Sequence, residues 1–199
     1  MPKTKGFHNV VIVGDSKVGK TCLLYAYKDG KMPQEEKIHD FLPTFSRKVK
    51  VDGRKMELGI WDTSGDSQYD GLRRLAYPSG DVFVLCYSVD NRQSYENIPK
   101  KWLPELRKLG RPNAPVVVVG LKQDLRPRTS LMPSSNGGTD GTSTRDHFVA
   151  YDEGLQLANE VRAWGFLECT ARREDSACNV FGEVAGAILK QEKERKGSK

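Results

Sequence analysis

The stretch His8-Asn-Val-Val-Ile-Val-Gly14-Asp-Ser-Lys-Val-Gly19-Lys20-Thr21 decides the fold. Val10 to Val13 are apolar without alternation, as in a strand covered on both faces. The residues that follow match G-x-x-x-x-G-K-[ST] and open a helix-period segment over Lys20–Tyr27. Strand, glycine-rich turn and helix in that order form the setting in which backbone N–H groups converge on phosphate oxygens and the helix N-terminus adds a positive end. Gly14, Asp15, Ser16, Lys17, Val18, Gly19 and Cys22 are therefore candidate phosphate-loop contacts. Lys20 would reach the β- and γ-phosphates, and the Thr21 hydroxyl would ligate Mg²⁺. Average residue frequencies give this pattern in roughly one chain per hundred of this length, so the strand and helix around it carry much of the weight.

Outward from this stretch, strand-length apolar runs alternate with helix-period segments. Strands are expected at His8–Val13, Phe45–Val51, Met56–Trp61, Val82–Val89, Val116–Gly120 and Phe166–Thr170, and helices at Lys20–Tyr27, Ser94–Leu109, Asp152–Trp164 and Ala177–Glu192. This order predicts an α/β fold, a six-stranded mostly parallel sheet with helices on both faces. Asp52-Gly53, between the second and third strands, favours a tight hairpin and makes that one pair antiparallel. In the last helix Val180, Val184 and Ile188 recur every four residues and would face the sheet. Arg126–Arg145 is polar, rich in Gly, Ser and Thr and without period, which reads as a long mobile surface loop.

Two further motifs close predicted strands. Asp62 in Trp61-Asp62-Thr63-Ser64-Gly65 stands at the strand end where ligands bind in such folds, placed to hold Mg²⁺ through water, and Gly65 lets its amide approach a γ-phosphate. Alone this is an ordinary turn signal; about 40 residues after a phosphate loop it gains specificity. In Leu121-Lys122-Gln123-Asp124, a carboxylate can accept two hydrogen bonds from guanine N1 and N2 and finds no matching donors on adenine, while Lys122 can lie along the base. That combination selects GTP over ATP.

The phosphate loop, Trp-Asp-Thr-x-Gly, Lys-x-Asp and Glu168-Cys169-Thr170-Ala171 together resemble the small GTPases. Thr21-Cys22-Leu23-Leu24, Tyr69-Asp70-x-Leu72-Arg73 and Tyr95-Glu96-Asn97-Ile98-x-x-Lys101-Trp102 resemble the Rho family within them. The resemblance implies the P-loop small-GTPase fold over residues 1–190, GTP/GDP and Mg²⁺ as ligands, and signalling through protein effectors and Rho-type regulators that read the switch loops. It places Thr170, Ala171 and Arg172 beside the base and gives residues 126–145 the position of the Rho insert, here longer and atypical. It also makes Pro43-Thr44 the first-switch pair, with Thr44 on Mg²⁺. Thr44 stands 23 residues after Thr21, later than the family spacing, so His39 or Asp40 would fill the place if that spacing were rigid.

Several positions depart from the family. Ser16 stands where the phosphate loop carries glycine, and Asp66 where the family has the glutamine that orients the attacking water. A hydroxymethyl group crowds that water, and a carboxylate cannot donate a hydrogen bond to it. Neither is a working catalytic residue, and the combination resembles the GTPase-deficient members, including the Rnd branch. Gln68, two residues on, is too far displaced to substitute. Leu121 replaces the polar residue that contacts guanine N7, and Met32 the aromatic that stacks on the base, which weakens nucleotide affinity. The leading expectation is a GTP-loaded switch with impaired hydrolysis; a normally cycling GTPase and a weakly binding pseudoGTPase scaffold are the alternatives.

Composition bounds the rest. The 199 residues and 37% apolar content fit one ordinary globular domain. Cys22, Cys86, Cys169 and Cys178 form no C-x-x-C pair and sit in apolar segments, as buried thiols do. The net charge of +6 divides into +2 in residues 1–5, +2 in the basic tail 191–199 and +2 over the 185 residues between. A nearly neutral body argues against a nucleic-acid face and leaves at most a weak membrane contact through the tail. Without an apolar leader the chain is expected to be a cytoplasmic monomer, peripheral at most to the inner membrane surface. The last ten residues contain no Cys-a-a-X box, consistent equally with truncation and with absence of prenylation.

Overall fold

A computed structural model describes residues 6–34, 42–127 and 147–197. Strand β1 (Phe7–Gly14) leads through the glycine loop into α1 (Lys20–Asp29), and β2 (Phe45–Val51) turns back on β3 (Arg54–Trp61). A 3₁₀ turn (Ser67–Tyr69), α2 (Asp70–Ala76) and a second 3₁₀ turn (Tyr77–Ser79) precede β4 (Val82–Ser88). Then come α3 (Arg92–Asn97), a π-helical turn (Ile98–Trp102), α4 (Leu103–Leu109), β5 (Val116–Leu121), a 3₁₀ turn (Gln123–Leu125), α5 (Tyr151–Glu160), β6 (Gly165–Cys169) and α6 (Glu174–Gly197).

The six strands lie in the order β2-β3-β1-β4-β5-β6, and only β2 and β3 are antiparallel, joined at Asp52 (φ 51°) and Gly53 (φ 75°). Because β1, β3, β4, β5 and β6 are parallel, their C-terminal ends share one edge. The phosphate loop, the Asp62 turn, the Lys122–Asp124 turn and the Thr170–Arg172 segment each follow one of those ends. Side chains alternate between two cores: Val10, Ile12, Val84 and Cys86 pack with α1 and α6, while Val11, Val13, Phe83 and Leu85 pack with α3 to α5. This two-sided covering is why the strand runs are apolar throughout. The predicted stripe Val180, Val184 and Ile188 is buried on the first face, where Phe181 stacks on Tyr27 with ring centroids 3.8 Å apart. All four cysteines are free thiols.

Three expectations are corrected. The helix predicted over Ser94–Leu109 is broken by the π-helical turn, which holds Pro99; proline has no N–H for the regular ladder, and a wider turn absorbs the defect. Helix α5 stops at Glu160, short of Trp164, because Arg162 takes a left-handed conformation (φ 53°) and the Trp164 N–H joins the Val116 carbonyl at 2.6 Å. Helix α6 runs on to Gly197, so the described basic residues after 190 are helical.

The segment read as a mobile loop, Arg126–Arg145, lies outside the described residues from 128 onward. Its first residue is anchored. Arg126 donates to both carboxylate oxygens of Glu168 and to the Val149 carbonyl, tying together the two sides of the segment. Among the described residues no helix is long and apolar enough to cross a membrane.

Phe181→Ala, which empties a fully buried ring position, is expected to lower stability by about 3–5 kcal/mol, and Phe181→Leu by much less. Urea unfolding followed by circular dichroism checks both.

Candidate nucleotide-binding site

The β1–α1 loop owes its shape to backbone freedom at a few residues. Gly19 takes φ 107° at the helix N-terminus and Lys17 takes φ 63°, so the chain wraps around instead of running straight into α1. Gly65 presses on this loop from the β3 side, where a Cβ would collide with the Gly14 carbonyl and the Ser16 amide. Between the loop and residues 64–69 lies a cavity of about 370 Å³ lined by Ser16, Lys17, Gly19, Lys20, Thr21 and Cys22, and by Gly65, Asp66 and Lys122.

Lys20 is the buried charge of the site, 5% exposed, with Nζ donating to the Gly14 carbonyl at 2.9 Å and the Asp15 carbonyl at 2.7 Å. Burial pushes its pKa down, and the Asp62 carboxylate is the largest influence opposing that. An ammonium held this way is short of negative charge, which a phosphate would supply.

Thr21 Oγ1 donates to Asp62 Oδ2 at 2.8 Å, and the same oxygen accepts the Leu42 N–H at 2.9 Å. Asp62 Oδ1 is buried without a partner. Burial raises the Asp62 pKa, against the hydrogen bonds from Leu42 and Thr21. A hydroxyl and an orphaned carboxylate oxygen are hard donors, and Mg²⁺ characteristically uses one or two such oxygens together with phosphates and waters. The residues present fit the ion. Thr21 and Asp62 would hold it, and it would neutralise charge between the β- and γ-phosphates.

A second cavity of about 110 Å³ continues from the first and is lined by Met32, Leu121, Lys122, Asp124, Thr170, Ala171 and Arg172. Asp124 Oδ2 accepts from Arg172 Nε at 2.9 Å, and Lys122, in a left-handed conformation (φ 59°), lies 3.6 Å from Asp90. Leu121 is buried and Met32 exposed. This end thus gathers a carboxylate paired with a guanidinium, an ammonium stem and apolar walls, a mixture of apolar surface and a few polar groups of the kind that ligand cavities carry.

Three assigned residues contribute differently from the rest. Asp15 turns its side chain away from the cavity: Oδ1 accepts from Trp102 Nε1 and Oδ2 from Asn97 Nδ2, each at 2.7 Å, so only its main chain faces the site. Val18 is buried in the core and likewise offers its backbone alone. Thr44 is exposed in a neighbouring groove that Asp62 and Leu42 also line, while the direct contact with Asp62 comes from the Leu42 amide. His39 and Asp40 lie outside the described residues.

Leu125, which lines the second cavity, matches no motif, and Ser64 and Tyr69, which line the first, stand inside the Trp61–Gly65 and Tyr69–Arg73 motifs without having been assigned to the site. Gln68 also lines the phosphate end, beside Asp66. The Asp66 carboxylate accepts the Gln68 N–H at 3.0 Å and caps the 3₁₀ turn. An Asp immediately before a helical segment, accepting the N–H two residues on, is a capping signal legible in the sequence.

Lys20→Met keeps the unbranched stem but removes the charge, and is expected to leave the fold intact while weakening nucleoside diphosphate binding by about 10- to 100-fold, the range of one charge-assisted hydrogen bond. Isothermal titration checks it. Asp62→Ala is expected to make nucleotide release insensitive to added EDTA, measured as the off-rate of a fluorescent nucleotide with and without chelator.

The model of the Ras family matches residues 9–190. That span takes in the glycine loop, the Asp62 turn, the Lys122–Asp124 turn and the Thr170–Arg172 segment, all gathered along one edge of the sheet. The chain therefore belongs to the Ras family of small GTPases.

Proposed function

We propose that the chain is a Rho-like GTP-binding switch whose hydrolysis is impaired, so that it stays loaded with GTP in the presence of Mg²⁺. The observation that carries this is the commitment of Asp66. Its carboxylate caps the Ser67–Tyr69 turn, and a carboxylate has no proton with which to orient an attacking water. It also adds negative charge beside a transition state that is already negative. Ser16 lines the same cavity and takes space that positioning of the water needs. The Rho-like motifs from Tyr69 to Arg73 and from Tyr95 to Trp102, and the long segment between the Gln123–Leu125 turn and α5, support the subfamily.

Signalling would pass through protein effectors and Rho-type regulators at the switch loops. A groove of about 400 Å³ runs between Leu42-Pro43-Thr44 and α2, where Leu72 and Leu75 are 63% and 74% exposed. Apolar side chains that exposed on a short helix favour a protein partner. In this reading Thr44 completes the Mg²⁺ shell when the switch closes. A monomer with at most weak membrane contact through the basic tail completes the proposal.

The second reading, a scaffold with weak nucleotide affinity, is favoured by Leu121, whose buried aliphatic side chain offers the base no hydrogen bond. Nucleotide extracted from freshly purified protein separates the readings: GTP is expected for the impaired switch, GDP for a cycling enzyme and an empty site for the scaffold.

Single-turnover hydrolysis of bound GTP is expected to be very slow, and to rise by about a hundredfold in Ser16→Gly/Asp66→Gln, the low end of what a positioned catalytic group contributes. Gln68→Ala is expected to leave the slow rate unchanged. Turnover at the rate of an ordinary small GTPase would overturn the proposal.

A further inference from the structure

The two loops that enclose the base cavity leave different strands, β5 and β6, and something must fix one against the other. Leu121, at the end of β5, cannot do so by hydrogen bonding, and its side chain belongs to the apolar core. The Lys122 side chain is directed toward Asp90. Arg126, in the loop after β5, is paired with Glu168 within β6 itself, and among the described residues a polar bond passes from the Asp124 turn to the loop beyond β6 through Arg172 Nε to Asp124 Oδ2, at 2.9 Å and spanning 48 residues of sequence. Arg172 is itself anchored, since its N–H donates to Thr170 Oγ1 at 3.2 Å and the Thr170 N–H donates to Ser176 Oγ at 3.1 Å, at the start of α6.

We infer that Arg172 is the positioning residue for base selection: it holds the Asp124 carboxylate in the orientation that reads guanine. This rests on the guanine-nucleotide reading above. Guanine presents N1–H and N2–H as parallel donors, so a carboxylate discriminates for it only when both oxygens lie in the plane of the base. Asp124 stands on a short 3₁₀ turn entered through a left-handed residue, and an aspartate side chain has rotamer freedom of its own there. One guanidinium bond to Oδ2 restricts that freedom. A carboxylate has about four lone-pair directions, so the bond leaves capacity for the two that guanine uses.

The Arg172 side chain is 67% exposed and that of Asp124 29%, and an ion pair so placed contributes little to the stability of the empty protein. Once a base fills the cavity, water is excluded from one side of the pair and the interaction strengthens. The effect of Arg172 therefore belongs to binding and selectivity, not to folding.

The test is equilibrium binding of GDP, IDP and ADP to the whole chain and to Arg172→Ala and Arg172→Lys. IDP lacks the 2-amino group and so can form only one of the two bonds to Asp124. Removing Arg172 is expected to weaken GDP binding by about fivefold, the upper range of a single exposed ion pair, and to weaken IDP binding less. The GDP-to-IDP preference then falls by about threefold or more, and Arg172→Lys, which keeps the charge, recovers part of it. An unchanged or increased preference in Arg172→Ala, in a wild-type background that favours GDP over ADP, overturns the inference and leaves the guanine reading standing. Equal binding of GDP and ADP by the wild-type chain overturns both.

Discussion

The ammonium group of Lys20 is taken out of water at the foot of the β1–α1 loop, and much of the site follows from the need to keep it satisfied. Two carbonyls, of Gly14 and Asp15, must point inward to it, which forces the loop to curl and requires the positive φ angles at Lys17 and Gly19. A negative charge must stand near, and Asp62 at the end of β3 provides it. Asp62 in turn is buried, with one oxygen shared by Thr21 and Leu42 and the other unpartnered. Each group on this chain lacks something that a phosphate with its cation would supply. The protein alone balances the charges only in part, which is the electrostatic form of readiness for an anion.

A second buried cation holds the frame around the first. Arg73, whose side chain has no solvent exposure, donates to Glu105, to Asp70 and to the Ser64 carbonyl, and its guanidinium lies 4.7 Å from the centroid of the Trp102 ring. Burial acts to lower its pKa, but the hydrogen bonds to Glu105 and Asp70 outweigh that and raise it. Tyr77 donates to the same glutamate, and Trp102 donates to Asp15 in the phosphate loop. The loop after β3, helix α2, the π-helical turn and the phosphate loop are thus joined by polar contacts that lie largely out of water. Such a network is costly to break, because loss of one member strands the charge of another. It also explains why Asp15, though inside the motif, spends its side chain on structure.

Much of this was legible in the residues. The non-alternating runs at Val10–Val13 and Val116–Val119 announce strands covered on both faces, and Asp52-Gly53 announces the antiparallel turn. The spacing of Gly14, Gly19, Lys20 and Thr21 announces phosphate, because backbone N–H groups can converge only where glycine permits the turn. Strand ends proved legible to within one or two residues for a similar reason, since they coincide with turn-forming residues. Helix α2 was not foreseen: Leu72 and Leu75 are exposed while Arg73 and Ala76 are buried, the reverse of the pattern that hydrophobic periodicity detects. The break at Pro99 was visible as a residue and invisible as a π-helical turn, because the choice among kink, break and widened turn depends on what the helix packs against.

What the sequence determined by itself is therefore local and periodic: the order of strands and helices, the phosphate-binding turn, and the residue types set at the ends of parallel strands. What the tertiary structure decided is which of those groups are already engaged. Asp15 faces Trp102 and Asn97, Asp66 caps a turn, the Leu42 amide takes the contact with Asp62, and Arg172 reaches Asp124. A hydrogen bond across 48 or 87 residues depends on how the elements pack, and packing is a property of the whole core that no short stretch of sequence encodes.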